Sequence, residues 1–74
     1  MNKETIVNTL KENNISFSKV KFFKESPYQK NRYKKEYVGW ETWIYTGNSP
    51  YGNLITEEDW NNLEYRKNFI ENLN

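Results

Sequence analysis

The chain has 74 residues, a formal net charge of +1, no cysteine and no histidine. This length predicts one domain spanning residues 1–74, and the absence of cysteine excludes disulfides and thiolate metal sites. Without histidine the chain also lacks the commonest metal ligand and proton shuttle, so we expect no metal and no other cofactor. No apolar run approaches the roughly 20 residues that span a bilayer, and no signal peptide is recognisable, so we expect a cytoplasmic protein without a membrane partner.

Aromatic residues are unusually abundant, with three Trp, six Tyr and four Phe. One large ring can bury about 150–250 Å², so a few rings suffice for a small core and others are expected at the surface. The charges are also unevenly placed. Residues 15–36 carry seven cations and two acids, a net of +5, whereas residues 37–74 carry two cations and six acids, a net of −4. This asymmetry predicts a surface with one basic end.

The first predicted element is a helix over residues 2–13, because Ile6, Val7 and Leu10 form an apolar stripe at helical spacing. Asn2 is the predicted N-cap. The helix is expected to stop at Asn13 and Asn14, because Asn tolerates the left-handed conformation that ends many helices.

A strand is predicted over residues 15–24, "ISFSKVKFFK", because apolar and polar residues alternate there. The alternation slips by one residue between Phe17 and Val20, which predicts a β-bulge. The next stretch, "ESPYQKNRY", is predicted to be a turn, since Pro27 restricts the residue before it.

The strongest strand pattern is "KKEYVGWETWIYTG", residues 34–47. Its alternation predicts two faces, one with Val38, Trp40, Thr42 and Ile44 and one with Tyr37, Gly39, Glu41, Trp43 and Tyr45. The loop "GNSPYGN" ends this strand, and "NLI" can add a short third strand.

A C-terminal helix is predicted after Thr56, which is the expected N-cap, with Glu57, Glu58 and Asp59 in the first turn. Its predicted apolar face contains Trp60, Leu63, Ile70 and Leu73, with Tyr65 and Phe69 beside it. The order of elements predicts an α+β fold, in which a small antiparallel sheet of two to three strands packs against an N-terminal and a C-terminal helix, in the order α-β-β-(β)-α.

An enzyme is not expected. No histidine is present to act as a base, the serines lie in no recognisable nucleophile motif, and no glycine-rich phosphate loop occurs. The acidic cluster of Glu57, Glu58 and Asp59 can be interpreted as a glycosidase-type pair or as helix capping, and the Thr56 signature favours capping.

The segment "KVKFFKESPYQKNRYKK" interleaves cations with rings, as nucleic-acid binders do, because cations neutralise phosphates while rings stack on bases. The candidate nucleic-acid contacts are Lys19, Lys21, Phe23 and Lys24. The alternative is a solvated face, or an edge strand whose lysines prevent aggregation.

Trp40 and Trp60 are expected to join sheet and helix in the core, which leaves other rings for a working face. If the second strand runs straight, its rings continue into the cations of "KNRYKK" and form one patch that suits an acidic protein surface or a nucleoprotein. The predicted partner-binding residues are Lys30, Arg32, Tyr33, Lys34, Lys35, Tyr37, Trp43, Tyr45 and Tyr51. A homodimer interface is an alternative use of the same face.

No family motif is present. In general character, the chain resembles the small accessory proteins of phages and other mobile elements, such as anti-CRISPR proteins and transcription inhibitors, which bind and block a host machine. The sequence therefore predicts a small non-enzymatic binding protein that acts stoichiometrically through a basic and aromatic face. The alternatives are a nucleic-acid-binding regulator that uses residues 19–35 and a structural or oligomerisation domain.

Overall fold

The computed structural model describes residues 1–28 and 39–73, and its elements follow the predicted order. A helix is followed by a three-stranded antiparallel sheet and then by two helices, which confirms the predicted α+β class. The elements are α1 (Lys3–Glu12), β1 (Lys19–Phe23), β2 (Glu41–Tyr45), β3 (Asn53–Thr56), α2 (Glu57–Asn61) and α3 (Leu63–Asn72).

Both predicted ends of α1 are confirmed. The Asn2 side chain accepts a hydrogen bond from the backbone N–H of Thr5 at 3.0 Å, as an N-cap does. At the other end, Asn14 has a φ of 57°, the left-handed conformation expected after the last turn. These local signals fix the length of α1, whose Ile6 and Leu10 are fully buried.

The sheet has the strand order β1-β2-β3, and its register pairs Val20 with Ile44 and Thr42 with Ile55. The third strand predicted from "NLI" is confirmed as β3. The predicted bulge in the first strand is wrong, because β1 begins only at Lys19. Ile15 and Phe17 belong instead to the connection from α1, where both pack with the core.

The second strand is shorter at its start than the sequence predicts. Gly39 has a φ of 108°, which residues with a side chain rarely adopt, and a Cβ there would lie 3.1 Å from Cβ of Glu57. Strand β2 begins at Glu41, so Gly39 and Trp40 lie outside it, and residues 34–38 of the predicted strand lie outside the described residues. The backbone N–H of Glu57 donates to the carbonyl of Trp40 at 2.9 Å, which joins the start of α2 to this bend.

The core lies between the sheet and the helices, and two tryptophans are at its centre, as predicted. The rings of Trp40 and Trp60 meet edge to face with centroids 6.0 Å apart, and Phe22 lies 5.5 Å from Trp40. Aromatic pairs of this kind add about 0.5–1.5 kcal/mol beyond the area they bury. The buried apolar residues are Ile6, Leu10, Ile15, Val20, Trp40, Ile44, Ile55, Trp60 and Ile70.

The predicted single C-terminal helix is interrupted at Asn62, which ends α2 and caps α3. Asn62 has an extended backbone, with φ −85° and ψ 107°, and its side chain accepts a hydrogen bond from the N–H of Tyr65 at 3.0 Å. The break turns Leu63 outward, so this residue is 69% exposed and its predicted place on the apolar face is wrong. Tyr65 is exposed as well, whereas Ile70 is buried and Phe69 and Leu73 pack against the core.

Two truncations test this packing. Trp60 is only 2% exposed, so we expect Trp60→Ala to lower the free energy of unfolding by about 3–5 kcal/mol. Leu63→Ala should change it by less than about 0.5 kcal/mol, because the side chain is largely in solvent. Chemical denaturation measures the free energy of unfolding of both variants. Similar decreases in the two variants would contradict the interrupted helix.

Candidate binding surface

The sheet presents a second face, opposite the core, that carries most of the predicted functional side chains within the described strands. Side chains alternate along a strand, so the residues next to the core-facing Val20, Thr42 and Ile44 point the other way. We call this side the outer face, formed by Lys19, Lys21, Phe23, Glu41, Trp43, Tyr45, Leu54 and Thr56.

A buried carboxylate lies at one end of the outer face. Glu41 is only 1% exposed. Its Oε1 accepts hydrogen bonds from the Ser26 hydroxyl at 2.5 Å and from the backbone N–H of Tyr28 at 2.9 Å, while its Oε2 accepts from the indole N–H of Trp43. A buried carboxylate is costly unless donors replace its lost water, so these three donors stabilise Glu41 in place.

The Glu41 carboxylate also fixes the rings beside it. Trp43 is half-buried, and its indole N–H is directed at Glu41 and not at solvent. The Tyr28 ring meets the Trp43 ring edge to face, with centroids 5.9 Å apart and an interplanar angle of 85°. Segment 26–28 and β2 are thus joined through one acidic side chain, and Trp43 is held in one orientation.

Tyr45 lies at the other end of β2, and its ring is in contact with two lysines of β1. The ammonium group of Lys19 lies 4.6 Å from the centroid of the Tyr45 ring, and that of Lys21 lies 5.6 Å from it. Both distances fall within the roughly 6 Å range in which a cation is attracted to the face of a ring. The register explains the geometry, because Lys19 is directly opposite Tyr45 and Lys21, two pairs further along, is the next residue of β1 on the same face.

Gly52, just before β3, lies against the rings of both Tyr45 and Trp43. A Cβ at this position would lie 2.8 Å from Cζ of Tyr45, closer than real Cβ atoms pack, and 3.1 Å from Cε3 of Trp43, which is tighter than most real Cβ contacts. The Tyr45 ring therefore extends over the bare backbone of Gly52, the residue that immediately precedes β3. Any larger residue would displace the rings.

The structure brings together four of the predicted site residues, Trp43, Tyr45, Lys19 and Lys21. Phe23 is partly exposed on the same face of β1, while Lys24 follows the strand and is also exposed. Tyr51 is 81% exposed in the loop before β3, and no ring contact of Tyr51 is found within the described part of the chain. The remaining predicted residues lie outside the described residues: Lys30, Arg32, Tyr33, Lys34, Lys35 and Tyr37.

Sequence reasoning missed Glu41, Ser26 and Gly52 as parts of this surface. Glu41 was assigned to the correct face, but an acid within a strand suggests exposure, and two of its three donors come from segment 26–28, 13 to 15 residues earlier. One local signal did exist. Glu41 and Trp43 are two residues apart on one strand face, which is within reach for a carboxylate and an indole N–H.

The acidic cluster at the start of α2 serves as the helix cap that the sequence favours. The N–H of Asp59 donates to the hydroxyl oxygen of Thr56 at 3.5 Å, and the Thr56 hydroxyl donates to the Asp59 carboxylate at 3.2 Å. Within residues 1–28 and 39–73, no cluster of three or more Asp or Glu side chains is arranged to hold a metal ion. No helix in the same residues is both long enough and apolar enough to cross a membrane.

Comparison with known proteins gives no match to this chain among protein-family models, curated proteins or solved structures. The interpretation of the outer face therefore depends on its own geometry.

Glu41→Gln tests the carboxylate as the group that fixes Trp43. The amide keeps one acceptor oxygen but presents an NH₂ group in place of the other, so at least one of the three donors loses its acceptor. We therefore expect a loss of about 1–3 kcal/mol in the free energy of unfolding and a shifted Trp43 indole N–H resonance. Denaturation and ¹H–¹⁵N NMR measure the two effects. Glu12→Gln, at an exposed residue of α1, is the matched control and should change neither. An unmoved indole resonance in Glu41→Gln would contradict the assignment.

Proposed function

We propose that this protein is a non-enzymatic binding protein that acts stoichiometrically on an acidic partner, a protein or a nucleoprotein, through the outer face of its sheet. The observation that carries the proposal is the collection of Trp43, Tyr45, Lys19 and Lys21 on one side of the sheet, outside the core. Trp40 and Trp60 already fill that core, so the outer rings are not needed there.

The state of the rings supports a binding role. Interface hot spots are rich in Trp and Tyr, which supply a large contact area with few rotatable bonds. Here Glu41 fixes Trp43 and Gly52 accommodates Tyr45, so a partner would not have to order these side chains on binding. Such preorganisation lowers the entropic cost of association.

Direct binding of nucleic acid is the second candidate, and one observation favours it. Lys19, Lys21 and Phe23 share the outer face of β1, which places cations beside a partly exposed ring. A phosphate binder loses affinity steeply as salt rises, whereas binding through buried rings responds much less.

A homodimer through the outer face is less favoured. In a two-fold symmetric dimer the same patch meets itself, so Lys19 and Lys21 of each copy would approach those of the other, with no acidic side chain exposed on the described outer face to offset them.

The general character of the chain supports a phage or mobile-element protein that acts in the host cytoplasm, of the kind that includes anti-CRISPR proteins.

Trp43→Ala tests the proposal in a pull-down from nuclease-treated host lysate. Loss of a hot-spot ring costs about 2 kcal/mol or more, so partner recovery should fall at least about tenfold. Tyr65→Ala, which removes an exposed ring on α3, is the matched control and should bind as the wild type does. Circular dichroism confirms that both variants are folded.

Two outcomes argue against the proposal. Equal recovery by Trp43→Ala and the wild type would show that the outer face is not the binding surface. Capture from untreated lysate that disappears after nuclease treatment, together with binding of the purified chain to protein-free nucleic acid, would favour the nucleic-acid alternative.

A further inference from the structure

The two lysines of β1 meet over a single ring, which makes one corner of the outer face different from an ordinary lysine-bearing surface. We call Lys19, Lys21 and Tyr45 the basic corner. Both ammonium groups lie within 5.6 Å of the Tyr45 ring centroid, although each side chain is long enough to extend into solvent on its own. Two positive charges therefore share one small region, where they repel each other unless an anion joins them.

The position of the corner is set by rigid parts of the fold. Lys19 and Lys21 lie on a paired strand, and Tyr45 is on the central strand of the described sheet. The Tyr45 ring extends over Gly52, which limits where it can move. The ring attracts both ammonium groups, and both lysines are exposed, so their N–H donors are accessible to a ligand.

We infer that the basic corner is a carboxylate-recognition site, which receives an Asp or Glu side chain from an acidic segment of a partner protein. The inference rests on the proposed function and assigns its partner chemistry. A carboxylate has two oxygens that each accept hydrogen bonds, so one such group can bind both ammonium groups at once.

A protein carboxylate fits the corner better than a nucleic acid does, because the two rings nearest to it, Tyr45 and Trp43, offer poor stacking surfaces. The two lysine ammonium groups lie over the ring of Tyr45, and Trp43 is in edge-to-face contact with Tyr28. Single-stranded nucleic acids bind through bases stacked on open rings and through cations that follow the backbone. The basic corner concentrates its two cations at one point instead.

The test is an NMR titration of the ¹⁵N-labelled full chain with three probes of equal length: an octaglutamate peptide, a neutral Gly-Ser peptide and an oligothymidylate of eight nucleotides. Low salt keeps exposed ion pairs measurable, since the Debye length is about 30 Å at 0.01 M ionic strength. The amide resonances of Lys19, Lys21 and Tyr45 report on the basic corner.

We expect octaglutamate to shift these three amides most and the Gly-Ser peptide to shift none. Replacing both lysines, Lys19→Gln with Lys21→Gln, should weaken octaglutamate binding about fivefold or more. The control Lys3→Gln with Lys67→Gln removes the same charge from exposed helical positions and should leave the affinity within about twofold of wild type.

Three results would overturn the inference. Octaglutamate shifts spread over all exposed lysines would indicate simple charge attraction. Equal weakening by both double variants would show that the corner has no special role. Tighter binding of the oligothymidylate, centred on the same amides, would assign the corner to phosphates.

The same variants separate this inference from the proposed function. If the pull-down partner is lost with Trp43→Ala but retained with the Lys19 and Lys21 double variant, the outer face binds a partner and the carboxylate assignment is wrong. If Trp43→Ala has no effect on capture, the proposed function itself is wrong, whatever the peptide titration shows.

Discussion

The buried carboxylate of Glu41 is the constraint on which the outer face depends. A buried acid is stable only when donors surround it, and here a hydroxyl, a backbone N–H and an indole N–H do so. Ser26 and Tyr28 contact β2 through hydrogen bonds to the Glu41 carboxylate, and the Trp43 indole N–H is directed at the same carboxylate. Trp43 then presents its ring, and not its polar edge, at the surface.

From this arrangement the molecule separates its rings into two sets. Trp40 and Trp60 pack edge to face between sheet and helices, where they supply the apolar area that a short chain needs. Trp43 and Tyr45 lie on the outer face of β2, where Glu41 fixes Trp43 and Gly52 accommodates Tyr45. One face of β2 thus packs in the core, and its other face is the candidate binding surface. The lysines of β1 make the outer face positively charged.

The parts of this fold that depend on neighbouring residues were predictable from the sequence. The Asn2 and Thr56 caps, the left-handed Asn14, the alternation that separates Trp40 from Trp43, and the short third strand all follow from local preferences. The break at Asn62 was missed because the apolar spacing across it suits one continuous helix. The contacts of Ser26 with Glu41 and of Gly52 with Tyr45 join segments that are distant in sequence, so no local pattern could indicate them.

The central claim is that Glu41 holds Trp43 rigidly on the outer face, and hydrogen exchange of the Trp43 indole N–H tests it most directly. In the unmodified protein this proton is donated to a buried carboxylate, so it should exchange much more slowly than the indole proton of free tryptophan. An indole proton that exchanges as fast as in free tryptophan, at an unshifted resonance, would show that Trp43 is not held and would contradict the preorganised surface.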